Sequence, residues 1–223
     1  MKINRIIIQN LSAQKGERLL FEDIGFTLKT GQSLLLKGPN GSGKTTLLHI
    51  LAGADQPKGG DVNIYTISSG ETPRHDGVIG ISHFITHQDA LKKSLTVREN
   101  LTFWTEYMGG DKTRIDSALR TVGLEPMPHI LAARLSAGQK KRLMLARLLT
   151  ISHPLWLLDE PSVSLDDDGQ KLLTKLMQEH ISAGGILIAA SHLPLGIEFN
   201  HTLTLTGGRY MFNDDYLLDE ENI

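Results

Sequence analysis

The chain has 223 residues, enough for one α/β domain or two small ones around a substantial buried core. Its 23 basic residues against 25 acidic ones leave a formal charge of −2 at pH 7, so no basic field points to nucleic acid and no acidic excess to a solvating segment. The absence of cysteine excludes disulfides and thiolate metal sites.

In chain order, the first predicted element is a strand over 3 to 8, whose isoleucines are cut off by Gln9 and Asn10, far short of the apolar region of a signal peptide. Strands follow over 23 to 28 and 33 to 37, then a helix over 44 to 52 and strands over 62 to 67 and 78 to 82. Helices are predicted over 97 to 108, 112 to 122, 138 to 151 and 169 to 182, with strands over 155 to 159, 186 to 190 and 202 to 206. Such alternation predicts an α/β fold with a mainly parallel sheet covered by helices, preceded by a β-rich part. The block from about 89 to 134 is almost wholly helical, punctuated by Pro126 and Pro128, and suggests a helical subdomain inserted into a single domain over 1 to 223. Residues 207 to 223 end acidic and read as a loosely held tail. No uninterrupted apolar run of about 18 residues is present, so membrane work requires a partner.

Chemistry enters at Gly38-Pro39-Asn40-Gly41-Ser42-Gly43-Lys44-Thr45, which meets the full phosphate-loop pattern G-x-x-x-x-G-K-[ST] between a predicted strand and a predicted helix. Backbone N–H groups must converge on phosphate oxygens there, and glycines at 38, 41 and 43 relieve the Cβ clashes that such curvature creates. The helix start adds its positive dipole end to the phosphates of a nucleoside triphosphate bound in the loop. Lys44 would reach the β and γ phosphates, and the Thr45 hydroxyl would be a ligand of Mg²⁺. Downstream, Leu155-Trp156-Leu157-Leu158 runs into Asp159 and Glu160, placing Asp159 at the sheet's carboxyl edge to hold Mg²⁺ through water. Glu160 is the general-base candidate, a carboxylate able to orient and polarise the attacking water.

Between these elements lies Leu135-Ser136-Ala137-Gly138-Gln139, opening a helix whose apolar positions Leu143, Ala146, Leu148 and Leu149 face the core. Taken alone, Ser136 is either an N-cap or part of a second anion-binding helix end.

Phosphate loop, Leu135 to Gln139, Leu155 to Glu160, and a lone His192 after the apolar run Ile186-Leu187-Ile188 occur in the order and spacing of a known family. Over practically the whole chain the sequence resembles the nucleotide-binding subunits of ATP-binding cassette (ABC) transporters. The resemblance implies a P-loop NTPase fold of ABC ATPase type, with an antiparallel β subdomain and an inserted helical subdomain beside the parallel core. It implies ATP and Mg²⁺ as cofactors, with Thr46 joining the loop residues on the nucleotide. It further implies that Ser136, Ala137, Gly138 and Gln139 act in trans on ATP held by a second copy, giving a homodimer in the ATP-bound state. Gln88 looks like the glutamine that senses Mg²⁺ and water and bends toward the membrane partner. His192 looks like the switch histidine on the γ-phosphate, and Asp166 like the aspartate that crosses the dimer interface. Where the family places an aromatic to stack on adenine, this chain has Gln14-Lys15-Gly16-Glu17-Arg18, from which Lys15 or Arg18 could cover the base.

Segments such as Val97 to Trp104 and Ser191 to Leu195 look most like the ATP-binding subunits of haem exporters in bacterial cytochrome c maturation. That likeness implies an ATPase at the cytoplasmic face of the inner membrane, working with integral membrane subunits to release a haem-loaded chaperone, and no nucleic-acid partner. Three alternatives remain open from sequence: the ATPase of another exporter, a cassette ATPase acting on ribosomes or DNA, and a non-catalytic nucleotide-gated module.

Overall fold

The structure, a computed structural model, describes residues 2–67, 72, 80–86 and 90–212. Strands β1 (Ile3–Lys15) and β2 (Arg18–Lys29) form a hairpin, and β3 (Ser33–Lys37) leads through the phosphate loop into α1 (Lys44–Leu51). Next come β4 (Gly59–Thr66), β5 (Ser82–Ile85), α2 (Val97–Tyr107), α3 (Ile115–Thr121) and α4 (Ala137–Thr150). The chain then forms β6 (Leu155–Asp159), α5 (Asp167–Ser182), β7 (Ile186–Ala190), β8 (His201–Leu205) and β9 (Tyr210–Phe212).

Two sheets result. One is antiparallel, in the order β2-β1-β4; the other runs β5-β6-β7-β3-β8-β9, parallel except for the β8–β9 pair. The central strands β6 and β7 are buried at every position, and apolar throughout except for Asp159, because both faces of the sheet are covered there. In β6, Leu155 and Leu157 pack toward the antiparallel sheet and α1, whereas Trp156 and Leu158 pack toward α4 and α5. Strand β7 alternates in the same way, Ile186 and Ile188 against Leu187 and Ala189. This period of two divides the buried residues into two cores, one on each side of the sheet.

Several expectations shift. The first strand continues to Lys15, beyond the predicted 3 to 8, because Leu11 and Ala13 are buried against β2. Register slips between Ile8 and Leu11 and again before Ala13 break the period-two pattern by which a strand is read from sequence. The predicted strand over 78 to 82 lies at Ser82–Ile85 instead, with residues 78 and 79 outside the described part. Pairing with Leu155–Leu158 sets that register, and it puts the polar His83 in the core. Within the predicted tail, Tyr210–Phe212 form a strand against β8, and residues 213 to 223 lie outside the described part. Among the described residues between β5 and α4 lie α2, α3 and 3-10 turns at Lys112–Arg114 and Ala132–Arg134, joined by turns and irregular chain, and Arg98 N–H donates to the Pro128 carbonyl at 3.0 Å.

His83 does not stand alone. Its ring lies 4.8 Å from that of His153, and Trp156 stacks on His180 at 4.0 Å between centroids. Burial lowers His83 to about 3 and His180 to about 4, the Ile186 carbonyl at 3.1 Å partly offsetting the latter. Both rings are therefore neutral when folded but take up protons in the unfolded chain below its ordinary value of about 6.5, so stability falls as pH drops from there toward 4. The two together should cost about 4 kcal/mol between pH 7.5 and pH 5. Denaturant unfolding at the two pH values measures this, and His180→Gln should remove about half of the pH-dependent loss whatever it does to stability at pH 7.5.

Candidate functional site

Strands β3, β7 and β6 are neighbours and parallel, so their carboxyl ends share one edge of the sheet. The loop after β3, Asp159 and Glu160 at the end of β6, and His192 just after β7 thereby surround one cleft of about 760 Å³. Crevices at the carboxyl ends of parallel strands are where α/β folds bind ligands.

The phosphate loop adopts the conformation its glycines allow. Gly38 has φ 134°, and a Cβ there would fall 2.1 Å from the Leu205 carbonyl oxygen of β8; at Gly43, φ is 107° and a Cβ would meet the Phe21 ring at 2.9 Å. Helix α1 starts at Lys44 with no side-chain cap and no acidic residue in its first turn, so its N–H groups and dipole point bare into the cleft. Lys44 folds back, its Nζ donating to the Gly38 carbonyl at 2.8 Å and to that of Pro39 at 3.1 Å. Burial lowers its ammonium below the ordinary lysine value, with the charges of Glu160 and Asp159 partly offsetting.

Thr45 Oγ1 donates to Asp159 Oδ2 at 2.9 Å across 114 positions of sequence. These are hard oxygen donors beside a phosphate loop, the set that suits Mg²⁺ when phosphate oxygens and water complete the shell. Glu160 has φ 47°, a rare left-handed conformation for a residue with a side chain, and its N–H donates to the Ala190 carbonyl at 2.9 Å. The turn aims its carboxylate into the cleft. There His192 meets it, the backbone N–H donating to Oε2 at 3.4 Å and ring Nε2 lying 3.5 Å from Oε1. The same Nε2 is 2.9 Å from Asn40 Oδ1, so the imidazole bridges the phosphate loop and the carboxylate.

The remaining predicted residues fall elsewhere. Ser136 is the N-cap of α4 in a capping box: its Oγ accepts from Gln139 N–H at 3.2 Å, and Gln139 Oε1 accepts from Ser136 N–H at 2.9 Å. Neither Ser136, Ala137, Gly138 nor Gln139 lines the cleft. The capped Ser136 hydroxyl still has its own O–H to donate. Asp166 also lies outside the cleft; it caps α5 at Gly169 N–H and pairs with Arg142 Nη2 at 2.6 Å. Gln88 is outside the described residues.

The cleft also holds residues that no motif marks. Lys15 and Arg18 face each other across the β1–β2 turn and line the cleft, and a Cβ on Gly41 would sit 3.6 Å from Arg18 Nη1, so this guanidinium lies beside the phosphate loop. Val163 and Leu193 line the cleft with about half their surface exposed, 46% and 52%. The signal available in the sequence is that each is an apolar residue just after a motif residue, Val163 three positions after Glu160 and Leu193 one after His192.

A family model described as ABC transporter matches residues 21–163. The Cytochrome c biogenesis ATP-binding export protein CcmA of Rhizobium meliloti (strain 1021) is 42% identical over 208 residues, which cover 91% of this chain and 98% of that protein. The protein of the same name from Rhodopseudomonas palustris (strain BisB5) is 45% identical over 191 residues, 85% of this chain and 92% of its own. Among solved structures, the ATP binding subunit of an ABC transporter superposes with a TM-score of 0.79 at 27% identity, covering 94% of this chain and 90% of that one. An ATP-binding cassette in a dimeric post-hydrolysis state bound to ADP and Pi superposes with a TM-score of 0.75 at 26% identity, covering 92% and 95%.

Proposed function

The chain belongs to the ABC transporter family, and from that premise we propose that it is the ATP-hydrolysing subunit of a haem-exporting cytochrome c biogenesis complex. The observation that carries the catalytic part is the meeting of Lys44, Thr45, Asp159, Glu160 and His192 in one cleft. Likeness to CcmA proteins over most of both chains supports the choice of complex.

In this reading ATP lays its phosphates along Gly38 to Thr46, and Lys44 exchanges its two loop carbonyls for the β and γ oxygens. Thr45 and Asp159 would hold Mg²⁺, which neutralises charge on the phosphate oxygens when bound. Glu160 accepts the proton of the attacking water, and His192, whose Nε2 faces Asn40 and Glu160 in this structure, gives up the Asn40 contact to donate to the γ-phosphate.

Ser136, Ala137, Gly138 and Gln139 contribute from a second copy, which explains a helix start built for an anion yet remote from the cleft of its own subunit. Two nucleotides are then buried in a homodimer, with Asp166 near the seam, and loss of the γ-phosphate loosens it. Among the described residues no helix is long and apolar enough to cross a membrane. In this reading the likeness to CcmA proteins supports integral membrane subunits at the inner face of the membrane as the recipients of the force. In this reading Gln88 and the helical block that contains α2 transmit the motion to those subunits. On α2, Phe103, Trp104 and Tyr107 form a ring cluster with Lys92 at 3.7 Å over Phe103, and Tyr107 is 74% exposed.

Removing the gene should abolish haem-stained cytochromes c, and wild-type protein should restore them while co-purifying with polytopic membrane proteins. Normal cytochrome c in the deletion strain, or recovery with ribosomes instead of membrane subunits, would overturn the reading.

A further inference from the structure

Helix α4 touches the segment after β6 at three points along one face. Gly138 lies so close that a Cβ there would be 3.0 Å from the Ser164 carbonyl oxygen, Lys141 Nζ donates to the Glu160 carbonyl at 3.2 Å, and Arg142 pairs with Asp166. Positions 138, 141 and 142 follow the i, i+3, i+4 spacing that puts side chains on one helix face. Lys141 is only 6% exposed. An ammonium is rarely buried so deeply without a specific polar contact, and a solvated face, the ordinary expectation for Lys140-Lys141-Arg142 in the sequence, does not describe this residue.

The peptide of Glu160 is thus held from two sides: its N–H by the Ala190 carbonyl of β7, its C=O by Lys141. Both holds bear on the left-handed backbone that aims the carboxylate at His192. The geometry points to Lys141 as a positioning residue that ties the start of α4 to Glu160. In a head-to-tail dimer the start of α4 reads the partner's nucleotide while Glu160 serves the subunit's own, so Lys141 links the two ATP sites through a single helical turn and a half. The inference rests on the reading of Glu160 as base and of Ser136 to Gln139 as the trans contact.

The test is ATP turnover by the complex with its membrane subunits, comparing wild type with Lys141→Met, Lys141→Gln and Lys141→Arg. Lys141→Met and Lys141→Gln should lower kcat about 10- to 100-fold, the effect of a misplaced catalytic group, with KM for ATP within about twofold. Their Hill coefficient should fall from about 2 toward about 1, and Lys141→Arg should retain at least about a third of kcat with cooperativity intact. A merely structural role would lower the amount of active protein without changing the Hill coefficient. Turnover in Lys141→Met within about twofold of wild type, or lost turnover with unchanged cooperativity, would overturn the inference; if that variant does not fold, Lys141→Gln is judged by the same two criteria. Loss of the underlying reading has its own signature, robust hydrolysis by Glu160→Gln, whereas a dead Glu160→Gln beside a normal Lys141→Met defeats the inference alone.

Discussion

Glu160→Gln should bind ATP within about threefold of wild type and hydrolyse it at least 100-fold more slowly, the range expected when a general base is removed. The amide keeps the shape of the carboxylate and can keep the backbone contact from His192, 3.4 Å away, but it cannot take a proton from water. With the γ-phosphate uncut, the two subunits should stay closed around it. Size-exclusion chromatography should then show a dimer that persists in ATP and dissociates only slowly, while phosphate release stays near background. If hydrolysis remains robust, the base is another group, and the His192–Glu160 contact at 3.5 Å serves only to shape the loop.

Gly38→Ala is the second large effect, and here the cause is steric. The added methyl would meet the Leu205 backbone oxygen at 2.1 Å and Ser42 Oγ at 2.8 Å, on a residue whose φ of 134° no side chain favours. A backbone oxygen in a paired strand cannot step aside cheaply, so strain and overpacking together should cost about 3 kcal/mol or more. The loop and the strand beneath it would separate, scattering the N–H groups that face phosphate. Loss of ATP binding in a titration, together with a lower unfolding midpoint, is the expected result. Gly41→Ala is the control: its nearest neighbour is the far end of Arg18 at 3.6 Å, so only the φ of 76° resists, and the effect on stability should be much smaller.

Much of the site was legible because its chemistry is written in short contiguous runs. Gly38 to Thr45 carries its own backbone geometry, and Asp159-Glu160 ends an apolar strand whose depth is evident from Leu155 to Leu158. The hairpin from β1 to β2 was partly hidden, since its bulges interrupt alternation, and His83 disguised β5 by placing a polar residue at a core position. Lys141 sits in the run Lys140-Lys141-Arg142, where nothing local distinguishes a lysine that folds under a helix from one that points to water.

What the sequence determined by itself is the reaction centre's inventory: a loop for phosphates, a strand-end carboxylate pair and a histidine, each specified by residue types next to one another. What the tertiary structure decided is which of them meet. Parallel pairing of β3, β7 and β6 carries Thr45 to Asp159 and His192 to Asn40, and it leaves Ser136 outside the cleft. The physical reason is that backbone dihedrals are chosen locally, whereas contacts across 114 or 152 positions exist only once a sheet buried on both faces has fixed the register of its strands.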